Sequence, residues 1–245
     1  MRVRLLLSLL ALCSACAMCR AADGPKPEIK SLSLLGVPAG KTTVITVYGE
    51  NLSPASAAVK APLSVKLVDS RATDDKTKSK GARQVTLEVT VPAAAPHDTF
   101  ELTLTQPDKA VAKTNLCVTE STAVEVPIKK PCATFATAMP LPGPSVAVTG
   151  QLDGDSADVV RFDAKAGEIW NITLLSGRGG STMDPVLRVR DGRHTPLALS
   201  AGDKKKDRHI QFHPPADGPY YVEITEAEAK GGAGYIYRLS VIRQP

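Results

Sequence analysis

The chain has 245 residues, of which 43% are hydrophobic, enough for two cores of about 100 residues each. Its formal charge is +5, and the lysines fall in short clusters beside Asp, Gly or Pro, as in "KTKSK" at 76 to 80 and "KKK" at 204 to 206. No aromatic residues interleave with them to stack on bases, so they read as solvated loops and exclude a nucleic-acid partner.

Residues 1–22 open with Arg2 and Arg4, run through "LLLSLLALCSACAM" and close on small residues in "CRAAD". This is the three-part layout of a secretory signal peptide, too short for a membrane span. Cleavage fits after Ala21 or Ala22, and the "ACA" ending at Ala17 also fits. "CSAC" offers Cys16 as a lipid anchor, but Cys13 stands where a leucine is expected, which argues against it. The predicted location is outside the cytoplasm: periplasm, cell surface or medium. Losing Arg2, Arg4 and Arg20 leaves 27 basic against 25 acidic residues, a charge of +2. Of five cysteines only Cys117 and Cys132 remain. In an oxidising compartment they can pair or stay free; a bridge would close a loop of about 15 residues, worth about 3 kcal/mol by the chain-entropy model.

From residue 25 to 120 the pattern has period two. "TTVITVYG" puts Val44, Thr46 and Tyr48 on one face and Ile45 and Val47 on the other. "VTLEVTVP" alternates Val85, Leu87 and Val89 with polar residues, and "FELTLTQ" does the same with Phe100, Leu102 and Leu104. Prolines and glycines interrupt these runs at turn-like intervals, which predicts an all-β sandwich. Residues 121–145 hold five prolines and no lasting period, and read as a linker. In residues 146–245 alternation returns through "VVRFDA", "EIWNITLL", "PVLRVRD", "RHIQFH", "YYVEIT" and "YIYRLSVI". Trp170, Ile172 and Leu174 share a face, as do Tyr235, Tyr237, Leu239 and Val241. This predicts a second antiparallel sandwich or jelly roll.

The stretch "STMDPVLRVRDGRH" gathers a serine, two aspartates and a histidine, but a strand separates them. Pro185 pushes Asp184 out of helical space and into a turn, where its carboxylate can accept nearby backbone amides. Leu187 and Val189 then point inward, and Asp191-Gly192 ends the strand. Ser181 and His194 therefore lie about 17 Å or more apart, against the roughly 3 Å that a nucleophile and its base need. A hydrolase would instead have to gather residues such as His209, Asp217 and Ser181 across strands. His209 and His213 would meet on a helix but stand about 13 Å apart on a strand, too far for one ion. "NIT" at Asn171 lies mid-strand and reads as a chance sequon, and "GRGG" at 177 to 180 reads as a hairpin, since no helix follows it. Asp153, Asp155 and Asp158 are hard oxygen donors suited to calcium, yet three carboxylates cannot fill its shell alone, and an acidic turn is the simpler reading.

The acidic turn before a strand ending in Phe162, the "DAKAGE" turn, "MDPVLRVRD", "PPADGPYYVEI" and the closing "YIYRLSV" together resemble the bacterial pre-peptidase C-terminal (PPC) domain family. The first half, through "PEIKSLSLLGVPAGKTTVITVYGENL" and "VPAAAPHDTFELTL", resembles immunoglobulin-like modules of the TIG type. The PPC resemblance implies a compact sandwich with no catalytic residues of its own, appended to secreted enzymes or carried on envelope proteins. Within it Asp184, Pro185, Leu187, Asp191, Asp217 and Gly218 are a structural motif. It also implies calcium in some relatives, held where the incoming segment meets the acidic turn. Here only Asp155 and Asp158 match, and Lys130, Pro131, Cys132 and Ala133 replace the other ligands, so no cofactor is expected. A Cys117 to Cys132 bridge would then stiffen this segment in place of the ion.

The function that follows is a non-catalytic exported binding, adhesion or accessory protein of a bacterial envelope or secretome, with a polysaccharide or a protein as partner. The alternatives are a spacer that positions a separate secreted enzyme and, more remotely, a hydrolase with a hidden site. Trp170 and any exposed members of Tyr220, Tyr221, Tyr235 and Tyr237 could form a sugar-stacking platform, although aromatics make up only 4% of the chain and most of these read as core.

Overall fold

The computed structural model describes residues 25–73, 82–120, 122–202, 206–232 and 234–245. The predicted leader and the "KTKSK" loop lie outside these. Every long element is a strand, and the chain folds as two β-sandwiches, as the alternation predicts.

The first sandwich holds β1 (Glu28–Leu32), β2 (Gly36–Pro38), β3 (Thr42–Glu50), β4 (Ser56–Val59), β5 (Ser64–Ala72), β6 (Ala82–Thr90), β7 (Thr99–Thr105) and β8 (Val111–Thr119). One sheet runs β1-β3-β6-β5 and the other β2-β8-β7-β4. Ile45, Val47, Val85, Leu87 and Val89 meet Leu102, Leu104 and Leu116 between them, all fully buried. Val44 and Tyr48 face solvent, because one face of this sheet is open and period two then sorts apolar residues inward.

The second sandwich holds β9 (Val124–Pro127), β10 (Met139–Pro140), β11 (Ser145–Gln151), β12 (Asp158–Ala164), β13 (Trp170–Leu175), β14 (Pro185–Arg190), β15 (Pro196–Ser200), β16 (Arg208–Phe212), β17 (Gly218–Glu226) and β18 (Ile236–Arg243). Its sheets run β10-β12-β17-β14-β15 and β16-β13-β18-β11-β9. Residues 121–145 differ from a free linker: β9 pairs in parallel with β11, β10 pairs in parallel with β12, and a 3-10 turn, Phe135–Thr137, lies between them. Prolines suit these edge positions because they have no N–H to contribute to a ladder.

β18 departs from simple alternation. Ile236 to Val241 are all buried. Tyr237, Leu239 and Val241 face their own core, while the opposite face meets the first sandwich. Ile236 and Leu175 join the first domain's core. Arg238 reaches Glu125 on β9 with Nη2 to Oε1 at 2.5 Å and Nε to Oε1 at 3.0 Å. The Leu35 amide donates to Thr149 Oγ1 at 3.2 Å. Gly36 makes room for this contact, since a Cβ there would come within 2.3 Å of Arg238 Nε.

Candidate functional site

The apparent catalytic segment is built as turn, strand and turn, and its serine and both aspartates each have a partner. Asp184 Oδ1 accepts from Arg208 Nη2 at 2.9 Å, a partner other than the backbone amides expected from its turn position. Arg208 is buried and also donates to the carbonyls of Pro185, Lys206 and Gly202. Pro185 starts β14, and Leu187 and Val189 are fully buried. Asp191 Oδ1 accepts the amides of Thr195 at 2.8 Å and Arg193 at 2.9 Å; the Thr195 amide first, then that of Arg193, holds its carboxyl below the usual aspartate range. Asp217 Oδ1 accepts the Ala166 amide at 2.9 Å, and Gly218 opens β17. Ser181 Oγ donates to the Gly234 carbonyl at 3.1 Å, while His209 lies on the outer face of β16. Ser181, His209 and Asp217 thus occupy three separate neighbourhoods.

The acidic turn does not fit a divalent cation. Asp155 faces solvent, whereas Asp158 is 1% exposed and accepts Tyr237 Oη at 2.8 Å and Cys132 Sγ at 3.2 Å. The Lys130 ammonium sits among the remaining oxygens, donating to the Gln151 carbonyl at 2.7 Å and Asp153 Oδ2 at 2.8 Å, with Asp158 Oδ1 at 3.6 Å. Burial works against that charge, but the hydrogen bond to Asp153 and the fields of Asp158 and Asp153 outweigh it, so the lysine pKa stands above its ordinary value. A tethered cation therefore occupies the oxygens a calcium ion would need.

The two cysteines are free thiols, which corrects the pairing considered from the sequence. Cys117 belongs to the first core and lies 3.7 Å from Thr99 Oγ1, whereas Cys132 is in the second core against Asp158. Their separation follows from residues 124 to 132 running along the second sandwich as β9 and the segment after it. Burial first, then the Asp158 charge and hydrogen bond, pushes the Cys132 thiol up to about 11.

The aromatic residues sort differently from their sequence order. Trp170, Tyr220 and Tyr237 are core, and Tyr235 packs partly buried against it. Tyr221 points outward from β17, with Arg161 of β12 and Arg190 of β14 as its cross-strand neighbours. Phe135, on the 3-10 turn, stacks on His194 at 4.0 Å between centroids and 15° between planes. Tyr221 meets both rings edge-on, at 5.4 and 5.5 Å. The Arg190 guanidinium lies 5.7 Å from the Phe135 ring centre and donates to Glu223 Oε2 and to the His194 carbonyl. His194 is exposed and held at φ 66°, in left-handed space uncommon for a non-glycine residue. The result is an aromatic surface rimmed by Arg161, Asp163, Arg190 and Glu223, on the open face of the sheet. Tyr221 was among the aromatics considered from sequence. Phe135 was missed because its proline-rich surroundings read as linker, and His194 because it was weighed only as a catalytic base; the lone Phe among small residues in "CATFATA" was the one available signal.

These features define a two-sandwich protein with one sheet face open and one covered. Its second half carries a bacterial pre-peptidase C-terminal domain, residues 156–226 matching that family's model. No curated protein matches the chain. Among solved structures it is similar to the Bacteroides ovatus mixed-linkage glucan utilization locus SGBP-B in complex with mixed-linkage heptasaccharide. That likeness is 11% identical over 89% of this chain and 74% of the other, at a TM-score of 0.28, too slight to argue from. No helix among the described residues is long and apolar enough to cross a membrane.

Proposed function

We propose that this is an exported, non-catalytic binding protein that recognises polysaccharide on the open face of its second sandwich. The observation that carries the reading is the surface formed by Phe135, His194 and Tyr221, with Arg190 and Glu223 beside it. Aromatic rings present flat apolar area at low entropic cost, and the flanking charged groups supply directional hydrogen bonds to hydroxyls. The test is co-sedimentation of the protein with insoluble polysaccharides, with calcium and then with chelator. Retention is expected to survive chelation, because Lys130 occupies the acidic turn, and to fall about tenfold in Phe135→Ala and in Tyr221→Ala. Equal retention of both variants, or none of the unsubstituted protein on any polysaccharide, would sink the proposal.

A second reading, a spacer that positions a separate secreted enzyme, is favoured by the core shared across the domain joint, which Leu175 and Ile236 enter from the second sandwich. It predicts stable co-purification with one secreted partner that is unaffected by Phe135→Ala.

A further inference from the structure

Between the two sandwiches lies a cleft of about 270 Å³, on the side of the second domain opposite the aromatic surface. Its second-domain wall is the outer face of β13, β16 and β18, which presents Asn171, Thr173 and His209. The first domain contributes His97, Asp98 and Glu120 from the ends of β7 and β8. Clefts at domain joints are common ligand sites, being concave and held by rigid elements on both sides.

The polar groups there define the chemistry. Both arginines in the lining are already engaged, Arg178 with Asp207 and Arg238 with Glu125. Asp98 and Glu120 then leave the cleft with a surplus of negative charge, which disfavours phosphate, uronate or any other anion. The side chains of His97, Glu120, Asn171, Thr173 and His209 mix donors and acceptors. Planar amide and carboxylate groups set beside hydroxyls match the vicinal hydroxyls of a sugar ring. The volume sits just below the roughly 300 Å³ at which drug-sized sites begin, so a single ring or a chain end fits and a running chain does not.

We infer that this cleft is a second binding site, specific for an uncharged sugar residue at a chain end, with Asn171 and His209 as its principal contacts. The inference rests on the reading of the ligand as a glycan but uses none of the residues of the aromatic surface. Two sites on one chain would hold a polysaccharide by avidity when both engage it.

The experiment is an NMR titration of the full protein with glucose, galactose, mannose, N-acetylglucosamine and galacturonate, following the Asn171 side-chain amide and the His209 ring. At least one neutral sugar is expected to shift both resonances saturably, with galacturonate at least about tenfold weaker. Asn171→Ala and His209→Ala should each weaken that binding about tenfold with an unchanged melting temperature. Persistence of the shifts in Phe135→Ala would support a separate site. If no neutral sugar moves either resonance, or the affinity is unchanged in both cleft variants, the inference is wrong even where polysaccharide retention is intact. Saturable shifts from a protein that no polysaccharide retains would instead overturn the surface reading and leave the cleft.

Discussion

The two sheets of the second sandwich have similar strands and opposite fates. The sheet built on β12, β17 and β14 keeps its outer face open, so Arg161, Tyr221, Glu223 and Arg190 stand at its surface. The sheet built on β13, β18 and β11 covers its outer face with the first domain, so Arg238, Ser240 and Ala147 are buried there. An ion pair on the first face lies 21% and 16% exposed, Arg190 with Glu223; one on the second lies 8% and 6% exposed, Arg238 with Glu125. The same ion-pair chemistry therefore sits nearer to water on one side and deeper in the protein on the other, where the local dielectric is lower.

The largest expected effect comes from breaking the covered pair. Arg238→Met strands a buried carboxylate on β9 of the same sandwich and should cost about 3–5 kcal/mol, read as a lower urea midpoint for the second sandwich. Arg238→Lys should recover only part of the loss, since an ammonium cannot reproduce the guanidinium fork. An unchanged midpoint would show that the covered pair adds nothing to the second sandwich.

Next comes Lys130→Met, which removes the cation from the Asp153 and Asp158 oxygens. Asp158 keeps its bonds from Tyr237 and Cys132, so a loss of about 1–3 kcal/mol is expected. If added calcium restored the melting temperature of this variant, the acidic turn would be a cation site with the lysine as occupant. No loss at all would mean that the ammonium adds nothing to the fold.

A smaller effect follows from Cys132. Its folded pKa is raised from 9.0 to about 11, so the folded state holds its proton more tightly than the unfolded chain. That contribution is fully present below about pH 9 and is lost as pH rises through about 11. Stability should therefore decline over that window in the native protein and more shallowly in Cys132→Ala. Native alkylation at pH 8 should spare Cys132, and rapid labelling there would contradict its buried contact with Asp158.

The smallest effect belongs to the open face. Arg190→Ala should change stability by less than about 1 kcal/mol while weakening polysaccharide retention. The comparison between faces fails if this variant is as unstable as Arg238→Met.

The strand framework was legible because period-two alternation survives wherever one face is solvated: β3, β6 and β7 place their apolar residues as the sequence alone predicts. β9 and β10 were hidden, since strands of four and two residues rich in proline at a sheet edge carry no periodicity. The continuous burial of β18 was hidden too, because Arg238 and Ser240 look solvent-facing until another domain covers them. The separation of Ser181 from His194 could be argued from residue spacing alone.

The sequence by itself determined the all-β class, the two sandwiches and the PPC resemblance of the second half, since these are written in local alternation and turn residues, which act over a few positions. Only the tertiary structure decided that Phe135 and His194 stack beside Tyr221, that Lys130 fills the acidic turn, and that Cys117 and Cys132 lie in different cores. The first two join residues distant in sequence and the third parts two residues close in it, through strand pairing and the placement of turns, and no local period records which segments the fold will bring together.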